Sequence, residues 1–155
     1  ESFYFNAKAV KVPGLDGSGK MGKSVGNCIY LGDSEEVIRK KVMRAVTDAG
    51  PTMLNQEKPE VIQNLFTLME LVSDKQTYDY FNDQYNNMAI RYGDMKKQLA
   101  QDINAFCAPI REKIVAYQND DEYLAKVLRL GAERASERAE KTLEDVRQII
   151  GFRRI

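Results

Sequence analysis

Gly14-Leu15-Asp16-Gly17-Ser18-Gly19-Lys20-Met21-Gly22-Lys23-Ser24 is the stretch on which the reading of this chain turns. Its glycines let the backbone approach a ligand closely and aim several N–H groups one way. Lys20 and Lys23 set two cations three residues apart, and Ser24 adds a neutral donor. Together these suit a polyphosphate, whose charge is spread over several oxygens. A flexible surface loop with incidental lysines is the plainer alternative. Gly14 to Lys20 also fits the G-x-x-x-x-G-K frame of a P-loop. That frame fails at Met21, where a Ser or Thr must reach Mg²⁺. It fails again because Gly22 and Gly26 oppose a helix whose N-terminus would receive the phosphate.

Outward from the loop the chain changes character. Residues 1–32 hold six of the ten glycines and no helical period. Phe3-Tyr4-Phe5 and Ala7 to Val12 partly alternate, as a short strand or extended segment does. From Asp33 on, the pattern is helix after helix. Asp33-Ser34-Glu35-Glu36 reads as a capped start with Glu36 as a capping-box acid. Val37, Ile38, Val42, Met43 and Val46 follow as an apolar stripe that Gly50-Pro51 ends. Pro59 opens the next helix near its first position, with Ile62, Leu65, Phe66, Leu68, Met69 and Val72 on one face. Ser73 to Gln76 reads as a capping box for a third, carrying Tyr78, Phe81, Tyr85 and Met88. A long helix is expected from about Asp94 to Gln118, striped by Leu99, Ile103, Phe106, Cys107, Ile110, Ile114 and Tyr117, with a kink or break at Pro109. Asn119-Asp120-Asp121 caps a last helix that Gly151 stops. The expected fold is therefore mainly α: an antiparallel helical array behind a Gly-rich extended head.

Composition narrows the function. The 155 residues suffice for one domain, or one domain and a piece of another. Lys plus Arg and Asp plus Glu are 23 each, so there is no wholesale cationic coat, though a local basic face remains open. No apolar run is long enough to span a membrane. The start, Glu1-Ser2-Phe3, lacks a signal pattern and fits either a processed chain or a segment of a longer protein. Cys28 and Cys107 lack zinc spacing and read as reduced thiols of a cytosolic protein. No histidine is present, which removes Ser–His and Cys–His catalysis and the common His-rich metal sites. No metal site is expected from the side chains.

Lys20-Met21-Gly22-Lys23-Ser24 also resembles the KMSKS loop of class I aminoacyl-tRNA synthetases, with Gly22 in place of the first serine. The flanks narrow the resemblance to the tryptophanyl-tRNA synthetase family. They are Val12 to Gly17 and Gly26-Asn27, then Asp33 to Met43, with its Arg39-Lys40-Lys41-Val42-Met43 helix, and Ala45 to Asp48. Further on come Arg91 to Ala100, Ala108 to Glu112, and Gly131 to Ala135. The likeness runs over roughly residues 8–152.

That resemblance implies ATP-dependent activation of tryptophan with Mg²⁺, then transfer to its tRNA. It assigns Lys20 and Lys23 to the ATP phosphates, with Lys23 acting in the transition state, and Ser24 to a phosphate oxygen. Met21 anchors the loop by packing. Gly22 removes the common hydroxyl and loosens the loop. Lys11 or Val12 offers backbone contacts near adenine. The resemblance further implies that residues 1–32 are the C-terminal edge of a Rossmann-type catalytic domain. Residues 33–155 are then a helical, anticodon-binding domain. The half bearing the HIGH motif and the L-tryptophan pocket is absent, so the chain alone should lack the reaction. The whole enzyme is expected to be a cytoplasmic homodimer with no membrane association.

The helices carry their own candidates. Arg91, Asp94, Lys96 and Lys97 gather at the Gly93 break, where exposed donors can meet tRNA bases or phosphates. Arg39, Lys40, Lys41 and Arg44 form either a solvated face or an RNA or subunit contact. The tyrosines at helical spacing are core residues or stacking platforms. The competing class is a stand-alone helical RNA- or protein-binding module with a relic loop. Retention of Lys20, Lys23 and Ser24 together favours the ligase.

Overall fold

The computed structural model describes residues 11–152. The extended segment expected between Phe3 and Val10 lies outside them. Among the described residues there are five helices and no strand: α1 (Glu35–Met43), α2 (Glu60–Val72), α3 (Lys75–Asn86), α4 (Tyr92–Gln118) and α5 (Asp121–Ile149). The chain is mainly α. It divides into two compact units, Glu1–Arg111 and Glu112–Ile155.

The core of the first unit gathers one face from each of four helices. Ile38 and Val42 come from α1, Ile62, Leu65, Phe66 and Met69 from α2, Phe81 and Tyr85 from α3, and Met95, Leu99 and Ile103 from α4. Leu15 joins them from the glycine-rich loop, so the loop is seated on the core. Phe66 meets Tyr78 and Tyr85 edge-on at ring-centroid distances of 5.7 and 6.1 Å. The Lys58 ammonium sits 4.7 Å above the Phe66 ring and 5.0 Å above that of Tyr85, and donates to Asn82 Oδ1 at 2.7 Å. Complete burial of a side chain of this size stabilises by about 1.5–3 kcal/mol. Tyr85 is a core residue, while Tyr80 stays exposed.

Helix ends follow local chemistry, with shifts from expectation. Ser34 is the α1 cap, accepting from Val37 N–H at 3.4 Å. Glu36 therefore lies too early to complete a capping box, and it pairs with Lys40 at 2.7 Å instead. α1 stops at Met43 rather than running to Gly50, because Val46 N–H is drawn to Leu15 O at 3.0 Å. Of the expected stripe only Ile38 and Val42 are fully buried. Asp74, one residue after the expected cap, holds Thr77 N–H at 2.7 Å, and Ser73 bonds to Asp102. α4 continues through Pro109 without a break. Pro109 and Ala105, whose carbonyl loses its amide partner, are both exposed residues, so solvent is at hand for that carbonyl.

In the second unit, Asp120 caps α5 through Tyr123 N–H at 2.9 Å, and the Tyr117 and Tyr123 rings stack 5.0 Å apart. Gly151, at φ +76°, ends the helix as its position suggests.

Candidate functional site

The loop between Lys11 and Gly32 has no regular secondary structure, yet its backbone is held at many points. Gly14 N–H donates to Ser18 O at 3.0 Å, Leu15 N–H to Asn27 O at 3.2 Å and Met21 N–H to Val12 O at 2.8 Å. Val25 and Gly26 N–H both return to Gly22 O, at 3.3 and 3.2 Å, closing one turn over Gly22 to Gly26. Gly26 completes it at φ +74°, a conformation open to glycine.

Lys23 and Ser24 ride on the first part of that turn and are exposed, as is Lys20. Among the described residues, neither Lys20 nor Lys23 has an ion-pair or hydrogen-bond partner for its ammonium, and the Lys23 and Ser24 amides carry no backbone partner. Lys23, Ser24 and their two N–H groups thus ride on one pinned turn, and Lys20 lies two residues before it. This donor set fits an anion with several oxygens. Met21 packs against the core beneath the turn. Gly22 is not in the left-handed region. A Cβ there would lie 3.5 Å from Val25 Cγ2, an ordinary contact. The Val12 carbonyl is engaged by Met21, and Lys11 is exposed.

Beside the loop lies an apolar cavity of about 530 Å³, lined by Met21, Lys23 and Cys28 from the loop and by Leu68, Ile103 and Cys107 from the helices. Burial raises the Cys107 thiol pKa, and both cysteines are free and buried.

Sequence reading missed the residues that hold the loop together. Asp16 Oδ1 accepts from Ser18 N–H at 3.0 Å and Ser18 Oγ at 2.7 Å, an Asx turn for which Asp-Gly-Ser is the recognisable signal. Bonds from Ser18 and then Asn27 hold the Asp16 carboxyl below its ordinary pKa. Asn27, buried, faces the same group.

The second set of candidates divides. Arg91, Asp94 and Lys97 are exposed at the start of α4, with Lys97 and Asp94 paired at 3.2 Å. Lys96 departs from the expected phosphate contact. It lies between Met95 and Leu99 on the packed side, and its ammonium donates to Ala45 O at 2.7 Å. Of the α1 cations, Lys41 pairs with Asp33 at 2.6 Å and sits 4.8 Å from the Tyr30 ring centroid. Lys40 pairs with Glu36, and Arg39 and Arg44 stay exposed.

The family model described as tRNA synthetases class I (W and Y) matches residues 3–108. The chain is 60% identical over 153 residues to the tryptophan–tRNA ligase of Porphyromonas gingivalis, covering 99% of the chain and 47% of that relative. It is 34% identical over 145 residues to the ligase of the same name from Clostridium longisporum, covering 92% and 42%. The solved tryptophanyl-tRNA synthetase of Campylobacter jejuni, complexed with ADP and tryptophan, superposes with a TM-score of 0.74 at 27% identity, over 94% of this chain and 45% of that one. The chain thus spans about half the length of the relatives it matches. The match takes in the whole pinned loop and the helices that seat it, and the chain belongs to the class I tRNA synthetases of the W and Y group.

Proposed function

We propose that this chain is the C-terminal portion of a tryptophan–tRNA ligase, and that its loop binds the ATP phosphates during formation of tryptophanyl-adenylate. The single observation that carries the reading is the pinned loop from Lys20 to Gly26, on which the Lys20 and Lys23 ammonium groups have no partner among the described residues and Ser24 adds a hydroxyl. In that reaction the tryptophan carboxylate attacks the α-phosphorus, and the bond to pyrophosphate breaks. Negative charge grows on the leaving oxygens, where prepositioned cations and N–H donors stabilise it. Lys23 serves the transition state, Lys20 and Ser24 hold phosphate oxygens, and Met21 anchors the turn. Lys11 or Val12 offers backbone contacts near adenine. The loop supplies donors, so it fits the phosphates and not the Mg²⁺ that accompanies them. Among the described residues no cluster of carboxylates or thiols suits a metal.

Residues 1–32 are then the last edge of the Rossmann-type catalytic domain, and residues 33–155 the helical domain that receives the anticodon. Arg91, Asp94 and Lys97 are its candidates for tRNA. L-tryptophan binds in the other half, through which the enzyme forms a homodimer in the cytoplasm. Support for tryptophan over tyrosine is the 60% identity to a tryptophan–tRNA ligase. Among the described residues no helix is long and apolar enough to cross a membrane.

Tryptophan-dependent ATP–pyrophosphate exchange tests this reading. The full-length protein should exchange, and Lys23→Ala should lower its rate about 10²–10³-fold. The present chain alone should not exchange. Robust exchange by the chain alone, or exchange driven by tyrosine, would overturn the assignment.

A further inference from the structure

We propose that Asn27 is the positioning residue of the phosphate loop. It fixes the backbone on both sides of Met21, so that Lys20 and Lys23 meet the nucleotide already in place. The inference rests on the function proposed above and adds a residue to it. Among the described residues only Asn27 and Lys96 are buried polar or charged side chains, and Asn27 is 7% exposed. Its carboxamide is fully engaged. Oδ1 accepts from Gly22 N–H at 2.8 Å. Nδ2 faces Ser18 Oγ at 2.7 Å, Asp16 Oδ1 at 2.9 Å and Lys20 O at 3.2 Å. The orientation of the amide is set by chemistry, since Gly22 N–H can only donate while Asp16 and the Lys20 carbonyl can only accept. The Asn27 carbonyl takes Leu15 N–H as well.

Three consequences follow from those bonds. The Lys20 carbonyl and the Gly22 amide, which flank Met21, are tied to one buried group. Gly22, the most mobile residue type, directly precedes Lys23, and its freedom is restrained through its N–H instead of through a side chain. The ammonium groups themselves are left for the ligand. The room for this arrangement is reserved by Gly14: a Cβ there would collide with Asn27 Nδ2 and lie 2.6 Å from Asp16 Oδ1. Misplacing a reacting group by about 1 Å can cost on the order of 100-fold in rate, so a buried pin behind a glycine-rich loop has a kinetic role beyond stability.

A double-mutant cycle in the full-length enzyme tests this, read by ATP–pyrophosphate exchange with the thermal unfolding midpoint measured alongside. Asn27→Ala should lower the exchange rate about 100-fold with the tryptophan KM unchanged. In the Lys23→Ala background the same change should cost about tenfold or less, because only the contribution of Lys20 is left to misplace. An equal loss in both backgrounds, or a folded Asn27→Ala enzyme at the wild-type rate, would overturn the proposal. Should Asn27→Ala fail to fold, the isosteric Asn27→Asp is read by the same criterion. It keeps an acceptor for Gly22 N–H and lacks the donor for Lys20 O. A wild-type rate for Lys23→Ala alone would instead overturn the phosphate-loop reading on which the proposal rests.

Discussion

Lys96 donates its ammonium to the carbonyl of Ala45 at 2.7 Å, joining the start of α4 to the end of α1 across 51 residues of sequence. Thr47 Oγ1 lies 3.3 Å away, and the next amide, that of Val46, donates to Leu15 O. A buried lysine thus caps the negative end of α1, at the place where α1 hands the chain back to the loop. Burial lowers the Lys96 pKa, and the carbonyl and hydroxyl take the place of a carboxylate partner. Lys96→Met keeps the stem and removes the donor. Leaving a buried carbonyl unpaired costs about 1–3 kcal/mol, which outweighs relief of the lysine's own desolvation once its bonds are counted. The urea midpoint should fall accordingly, whereas exposed Lys97→Ala should stay within about 0.5 kcal/mol of wild type. Equal midpoints for the two variants would contradict the assignment.

The Tyr92 hydroxyl donates to Asp48 Oδ1 at 2.7 Å, fastening the first turn of α4 to the segment after α1. Burial first, then the bond to Asp48 and its charge, raise the Tyr92 pKa well above the ordinary 10.0. A phenol raised on folding keeps its proton where the unfolded chain has lost it. Its stabilisation is therefore complete below pH 10 and drains as pH rises beyond that value towards the folded pKa. Chemical unfolding measured from pH 9 upward should show a fall that Tyr92→Phe makes shallower. An identical slope in the variant would remove Tyr92 from the account.

Two glycines of the loop should respond in opposite ways. Gly14→Ala drives a Cβ into Asn27, Asp16 and the Ser18 Oγ 2.7 Å away, so it should disrupt the loop and strongly lower adenylate formation in the full-length enzyme. Gly22→Ser meets only Val25 at ordinary contact distance. It should retain exchange, and slow proteolysis of the loop by reducing the freedom of the unfolded segment, an effect of about 0.4–1 kcal/mol. Loss of exchange in Gly22→Ser with Gly14→Ala unaffected would reverse the picture.

What was legible in the sequence was local. The cap at Asp120, the stop at Gly151 and the apolar face of α2 depend on neighbours within a turn, and the sequence displays those neighbours. The start of α1 shows the limit: Asp33 and Ser34 were both open as its cap, Ser34 is the one used, and the capping box expected of Glu36 does not form. Asp33 to Glu36 and Ser34 to Val37 are adjacent frames of one pattern, and tertiary bonds to Asp33 from Lys41 and from the guanidinium of Arg111 decide between them. Exposure of Ala105 and Pro109 lets α4 pass the proline, and exposure of one turn is not written in its own residues. Lys20 and Lys23 were readable because their chemistry is in their side chains. Asn27 and Lys96 were not, because one acts through residues 5 to 11 positions away and the other through a backbone carbonyl 51 positions away.

The burial of Lys96 shifts the expected tRNA contact onto Lys97 and Arg91. Both are exposed at the start of α4, and Lys97 has only the exposed Asp94 as a partner, a pair weak enough for phosphate to displace. If both meet phosphates, Lys97→Ala and Arg91→Ala in the full-length enzyme should each weaken tRNA binding. Each should also flatten the dependence of log affinity on log salt by about 0.7 where the contact is to single-stranded RNA. Lys96→Met should leave that slope unchanged, because its ammonium already faces Ala45, and any loss of binding it causes should track its loss of stability. Adenylate formation should be unaffected in Lys97→Ala and Arg91→Ala, since activation precedes tRNA in the proposed reaction. Binding measured at three salt concentrations beside pyrophosphate exchange separates these effects. Wild-type slopes in both exposed variants would return the two residues to an ordinary solvated helix end. Slowed exchange with normal tRNA binding would mean that the start of α4 acts on the loop, through the Ala45 and Leu15 contacts, instead of on the RNA.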